Sequence, residues 1–173
     1  IVQNGEVTFP VAIPAIPAIK GTASVAPGGQ AISYDPGNAF ASLGAGQTAS
    51  ELIAYTMADA AGATATAYAQ VIVAGVNDAP VARDDAVSIT RNAAPLTIAV
   101  LGNDTDIDIG DTQTLSLGSA GTGSVALSGD GRSIVYTVGD AFQSLGDGEL
   151  ATDSFTYTVT DRAGAASTAT VTV

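Results

Sequence analysis

Cysteine, histidine and tryptophan are all missing from these 173 residues. Without Cys and His there is no thiol or imidazole nucleophile, no imidazole general base, and no zinc site built on those ligands. Disulfide staples are excluded as well. Aromatic residues reach only 5%, and positive charge is scarce, with 5 Lys+Arg against 17 Asp+Glu for a formal charge of −12. A chain this acidic is repelled by phosphate backbones, so nucleic acid is excluded as a partner. No run approaches the ~18 apolar residues of a spanning helix, and direct membrane insertion is not expected. The core must come from Val, Ile, Leu and Ala, within an apolar fraction of 46% that 20 Gly and 7 Pro interrupt.

What is present is an internal repeat. GNAFASLGAGQTASELIAYTMADAAGATATA from Gly37 aligns without a gap on GDAFQSLGDGELATDSFTYTVTDRAGAASTA from Gly139, an offset of 102. Phe40 falls on Phe142, Leu43 on Leu145, Gly44 on Gly146, Tyr55 on Tyr157 and Asp59 on Asp161. Upstream, GTASVA from Gly21 matches GTGSVA from Gly121, and Tyr34 matches Tyr136 after two extra residues in an SGDG turn. A period of about 100 residues is the size of a whole domain, longer than a solenoid repeat. The reading is two domains in series, 1–75 and 76–173, joined at VNDAP. The first copy lacks a counterpart of residues 81–111, so the chain is expected to begin inside a domain, and a further repeat is expected to follow. The plainer alternative is a two-domain protein with a degenerate first half.

The local pattern is that of strands. In SFTYTVT, Phe155, Tyr157 and Val159 share one face while Thr156, Thr158 and Thr160 share the other, and STATVTV repeats the alternation. An antiparallel pair with one buried face follows. The matching ELIAYTMADAAGATATAYAQ has the alanine content of a helix, but two copies in register must share a fold, so it too reads as strands. Pro14 and Pro17 exclude a helix in AIPAIPAI and place an edge or extended segment there. For the second copy, strands are expected near 81–90, 96–101, 113–117, 123–128, 132–138, 154–160 and 166–173. Seven short strands at that spacing predict an all-β fold, an Ig-like antiparallel sandwich in each copy, here with an up-and-down path.

Small domains without disulfides need another staple, and a carboxylate-rich chain can use a hard cation held by oxygens. Seven acids crowd the stretch from Asp78 to Asp111: Asp78, Asp84, Asp85, Asp104, Asp106, Asp108 and Asp111. Adjacent like charges repel unless solvated or bridged by a cation. In the expected path the loop NDTDIDIGD, the VNDAP linker and the turn holding Asp161 meet at one pole, with Glu51 of the first copy facing it. Candidate Ca²⁺ ligands are Asn77, Asp78, Asn103, Asp104, Asp106, Asp108, Asp111 and Asp161, with Glu51 and Asp85 as weaker candidates. The loop is no EF-hand: Gly110 comes one place late and Leu115 stands where the bidentate Glu belongs. Turn-capping accounts for the same Asn and Asp residues without any metal. Asp84, Asp130, Asp147 and Glu149 read as solvated surface charges.

GVNDAPVARDD, LTIAVLGNDTDID and VYTVGDAFQSLGDGELATDSFTYTVTDRAGAASTATVTV together resemble the cadherin-like, VCBS-type or bacterial Ig-like repeats of large secreted RTX-type bacterial adhesins. The resemblance covers nearly all of the second copy and residues 21–80 of the first. It implies tandem Ig/cadherin-like sandwiches, rigidified by Ca²⁺ and carried at the bacterial cell surface or secreted, commonly by type I secretion. Their role would be in adhesion and biofilm formation, with neighbouring repeats as partners. By position it also implies Asn77, Asp78, Asp104, Asp106 and Asp108 as calcium ligands.

Two other functions compete for the same residues. A glycosidase acid/base pair such as Asp104 and Asp108 lacks an aromatic sugar platform and an apolar pocket to raise a carboxyl pKa, so no enzyme is expected. A calcium-dependent carbohydrate-binding module would take a surface glycan or exopolysaccharide, stacking it on Tyr34 or Tyr68, although cross-strand packing explains both rings.

Overall fold

The computed structural model describes residues 18–173 except 28, 30, 119 and 120; Pro14 and Pro17 lie outside the described residues. The chain divides into two compact units. One runs to Phe40 and resumes over Thr48–Val73, and the other combines Ala41–Gln47 with Ala74–Val173. The loop Ala41–Gln47, which the repeat assigns to the first copy, thus belongs to the second compact unit.

In the first unit, β1 (Thr22–Val25) pairs antiparallel with β2 (Ile32–Asp35). β3 (Thr48–Ala58) forms a two-stranded sheet with β4 (Thr64–Ala74). The alanine-rich stretch is therefore β, as the register with the second copy requires. Phe40 and Ile53 are buried, and the Lys20 ammonium stands 5.6 Å from the Phe40 ring centroid.

The second unit contains β5 (Asp85–Ala86), β6 (Leu96–Ile98), β7 (Thr114–Leu117), β8 (Ser124–Leu127), β9 (Ile134–Thr137), β10 (Ser154–Thr160) and β11 (Ala166–Thr172). They form two sheets, ordered β5-β11-β10-β7 and β6-β9-β8. Ile98, Ile134 and Tyr136 from one sheet pack with Leu115, Phe155, Tyr157, Val159, Ala169 and Val171 from the other. This is an all-β, Ig-like sandwich, with the alternation of β10 placing Phe155, Tyr157 and Val159 inside. Tyr136 and Phe155 stack with centroids 5.9 Å apart.

The pairings are those of strands that alternate in direction, as expected, but the sandwich is not wholly antiparallel. Both edges of β10 are taken, by β7 and β11, and β5 adds at the outer edge of β11, in parallel. The expected strand over 81–90 shrinks to β5 and a lone bridge between Val81 and Thr105, with N···O distances of 2.7 and 3.1 Å.

The repeat is visible in the turns. Asp59 Oδ1 accepts the N–H groups of Ala61 and Ala63, and Asp161 Oδ1 accepts that of Ala165. Gly62 and Gly164 close these hairpins at φ 87° and 93°, a region in which a Cβ is disfavoured. Thr56–Thr66 and Thr158–Thr168 make the same cross-strand hydroxyl pair, at 3.0 and 2.8 Å.

Candidate metal centre

Three segments of the second unit meet beside the end of β10. The linker is bound to the loop that follows β6 by the Val81–Thr105 bridge and by Asp78 N–H, which donates to Asp108 Oδ2 at 3.0 Å. The Asn77 side-chain amide donates to Asp161 Oδ2 at 2.7 Å, adding the turn after β10. Carboxylate oxygens of Asp106, Asp111 and Asp161 lie within 4.8 Å of one another. Asp108 and Asp161 are buried, at 6% and 5% exposure.

The loop is wound by its own side chains. Asp106 Oδ1 accepts the N–H of Asp108 at 3.0 Å, Asp111 Oδ1 accepts that of Thr112 at 2.7 Å, and Gly110 turns at φ 80°. One oxygen of each carboxylate is thereby spent on the backbone. Their second oxygens differ in kind from ordinary turn-capping groups, because Asp106 Oδ2 and Asp108 Oδ1 are buried with no hydrogen-bond partner. A buried acceptor without a donor costs roughly 1–3 kcal/mol, and more when charged. A hard cation answers that deficit: the unpartnered oxygens of Asp106 and Asp108, with the carboxylates of Asp111 and Asp161 beside Asp106, are the donor type that Ca²⁺ takes, six to eight oxygens at a time. The hydrogen bond from Asn77 holds the Asp161 carboxyl below the usual carboxylate range, favouring the charged form. Arg162 lines the same polar cavity of about 390 Å³, together with Gln47, Asn77, Asp108 and Asp111.

The other sequence candidates fall elsewhere. Asp104 turns away from Asp106: its Oδ1 accepts Arg83 N–H at 2.8 Å, and both its oxygens lie 3.1–3.2 Å from the Tyr157 hydroxyl. Asp85 Oδ2 shares that hydroxyl at 3.2 Å. Burial pushes the Asp85 carboxyl up, against the lowering effect of the Tyr157 hydrogen bond, and burial followed by the charges of Asp104 and Asp85 pushes the Tyr157 phenol up. Asn103 donates its side-chain amide to Arg83 O and Asp84 O, and its own Oδ1 is buried without a partner. Asn77 presents a donor to Asp161, so in this arrangement it positions a carboxylate. Glu51, on β3 of the first unit, accepts Lys20 N–H at 3.1 Å. Its repeat counterpart Asp153 accepts the N–H groups of Thr122, Gly123 and Ser154 and the Tyr136 hydroxyl. Among the acids read as solvated, Asp84 accepts Thr170 N–H at 2.8 Å, pinning β11. Of the two tyrosines considered for stacking, Tyr34 has a buried hydroxyl and Tyr68 is 42% exposed.

Sequence reasoning missed the division of labour within the DxDxD run. It also missed Gln47, whose side-chain amide reaches Ile109 O at 3.4 Å. No signal in the sequence pointed to that contact, since Gln47 lies 62 residues away.

A family model described as a bacterial Ig domain matches residues 77–173, more than half of the chain. Among solved structures, the crystal structure of protocadherin gamma C5 EC1–3 aligns at 20% identity and a TM-score of 0.39, over 72% of this chain and 42% of that one. The chain thus spans less than half the length of that structure. No curated protein matches it significantly. Among the described residues, no helix is long and apolar enough to cross a membrane.

Proposed function

Because this chain belongs to the bacterial Ig domain family, we propose that it is a calcium-rigidified extender segment of a bacterial surface or secreted adhesin. Its Ig-like domains would act in series to hold an adhesive tip away from the cell. The finer setting, VCBS-type repeats of an RTX adhesin exported by type I secretion and serving biofilm formation, is part of the same proposal and rests on the VNDAP and NDTDID motifs.

One observation carries the reading: Asp106 Oδ2, whose carboxylate clusters with those of Asp111 and Asp161, and Asp108 Oδ1 on the same loop are both buried without a partner. Bound there, Ca²⁺ would supply the positive charge that four clustered carboxylates lack. The chain's own residues do the rest. Asp108 grips the linker through Asp78 N–H, and Asn77 ties it to the turn at Asp161. Neutralising the cluster therefore stiffens the linker; without the cation, the same carboxylates repel and loosen it. Sites of the extracellular class, with Kd of about 10⁻⁴ to 10⁻³ M, are filled by millimolar calcium. The carbohydrate-binding alternative rests on Tyr68, 42% exposed on β4, since the Tyr34 hydroxyl is buried.

The test is calorimetric titration of Ca²⁺ into metal-free protein, with thermal unfolding followed in parallel. Saturable binding with a raised Tm is the expected result. No heat and no shift up to about 10 mM, above the extracellular range, would reduce the acidic loop to a set of turns and leave a passive spacer.

A further inference from the structure

The two copies of one loop differ in whether anything sits on them. In the first copy, Gln47 Oε1 accepts Gly44 N–H at 3.1 Å and Gln47 N–H returns to Gly44 O at 3.1 Å, with Gly46 at φ 81°. In the second, Glu149 Oε2 accepts Gly146 N–H at 2.7 Å and Glu149 N–H returns to Gly146 O at 3.3 Å, with Gly148 at φ 78°. The turns are built alike.

The first turn carries a load. Ser42 O accepts Ile109 N–H at 3.1 Å, Gln47 Nε2 donates to Ile109 O at 3.4 Å, and Gln47 O accepts Gly75 N–H at 2.8 Å. Gly44 lies so close to Asp108 that a Cβ would stand 3.2 Å from its Cγ. This small, flat turn receives the acidic loop of the Ig domain that follows it. Among the described residues, the matching Ser144 O and Glu149 O receive no hydrogen bond. Leu150 beside them is 95% exposed, at the rim of a half-open cavity of about 350 Å³ lined by Ile89, Val138, Phe142 and Leu145.

We infer that the Gln143–Glu149 turn and its cavity are the docking face for one occupant, a following Ig domain that presents an acidic loop of the Asn103–Asp111 kind. The inference rests on the reading of the chain as a serial extender. Ser144 O and Glu149 O would take the two backbone N–H groups that Ser42 O and Gln47 O take in the first copy. The second face is more demanding electrostatically. Asp147 and Glu149 replace Ala45 and Gln47, so two extra carboxylates meet the incoming aspartates, and Glu149 cannot donate as Gln47 does. Docking there is accordingly calcium-dependent.

The chain has no cysteine, which makes disulfide trapping clean. The full chain is extended after Val173 by a second copy of residues 72–173, since Val71 aligns with Val173. One variant carries Ser42→Cys with Ile109→Cys of the original copy, as the template pair. A second carries Ser144→Cys with Ile109→Cys of the appended copy, and a third replaces Ser144→Cys by Leu127→Cys, at the far end of the β8–β9 hairpin. In calcium, the Ser144 pair should close at least about tenfold faster than the Leu127 pair, as an oriented contact does relative to tethered collision, and the advantage should fall on chelation. Closure of the Ser144 pair no faster than the Leu127 pair overturns the inference, as does failure of the template pair. Calcium binding by the unsubstituted chain is read separately, so binding without Ser144 closure sinks the docking face and leaves the extender reading standing.

Discussion

Asn77 and Asp161 are 84 residues apart in sequence and joined by a 2.7 Å hydrogen bond from amide to carboxylate. That bond is where the linker meets the last hairpin of the sandwich. A hydrogen bond to a charged group contributes about 1.5–3 kcal/mol. Asn77→Ala should therefore weaken calcium binding by about tenfold, equivalent to ~1.4 kcal/mol, and lower Tm in calcium. Titration calorimetry on the variant checks this, and undiminished affinity would show that Asn77 does not position Asp161.

Asp104 and Asp106 should separate cleanly by mutation. Asp106→Asn removes charge from the carboxylate cluster and should cut calcium affinity at least about tenfold, with little change in calcium-free stability. Asp104→Ala should do the reverse. It strips partners from the Tyr157 hydroxyl and Arg83 N–H, costing about 2 kcal/mol of stability. Affinity should stay within about threefold, ~0.65 kcal/mol by RT ln 3, because the Asp104 carboxylate is engaged by those groups and is not among the clustered oxygens. Calorimetry and denaturant unfolding of both variants settle the pattern, and a matched loss of affinity would return Asp104 to the ligand set.

At the other end of β10, Asp153 is buried at 7% exposure and accepts four hydrogen bonds. Asp153→Ala should orphan those donors and cost about 3 kcal/mol or more, which lowers Tm by about 15 °C for a domain of this size. Calcium affinity measured well below the new Tm should be retained, because the cluster lies a strand length, roughly 20 Å, away.

The pH dependence of the calcium-free protein should show two edges from this same pair. Burial raises the Asp153 carboxyl, but the N–H groups of Gly123, Thr122 and Ser154 and the Tyr136 hydroxyl outweigh it, and the net shift is downward. Its stabilisation is present above the ordinary carboxylate pKa and is lost as pH falls through the lowered value. Burial, then the Asp153 hydrogen bond and charge, push Tyr136 up to about 12 from 10.0. Its stabilisation is complete below pH 10.0 and is lost as pH rises toward about 12. Tyr136→Phe should flatten the alkaline edge in a denaturation series across pH.

The strands of the second copy were legible because period-two alternation is a local signal. Phe155, Tyr157 and Val159 announce their shared face within five residues. The first copy was legible only through the second, as β3 and β4 interleave their Thr, Tyr, Ile and Val with enough alanine to read as helix as well. Topology was less accessible. That β5 pairs in parallel with β11 depends on which edges β7 leaves free, and no run of residues encodes that. The convergence of Asn77, Asp106, Asp111 and Asp161 followed from placing loops at one pole. Which carboxylate faces inward did not, since Asp104 and Asp106 are chemically identical and are told apart by the Arg83 N–H and Tyr157 hydroxyl that the fold brings to one of them. Glu51 and Asp153 show the same limit: an acid before a strand can hold neighbouring N–H groups as readily as a metal, and only the fold reveals the donors.

The parallel pairing of β5 and β11 has a consequence for a chain under tension. The strand that enters the sandwich and the strand that leaves it lie side by side, joined through the Val171–Asp85 and Thr172–Ala86 register and the 2.9 Å bond from Val87 N–H to Thr172 O. Pulling the linker one way and β11 the other slides the two strands along each other, so their hydrogen bonds are loaded together in shear. An antiparallel terminal pair would instead peel open one bond at a time. Forced unfolding is governed by the rate of crossing the barrier and not by equilibrium stability, so the resistance of this sandwich to a pull along the linker is set by how long this short clamp holds.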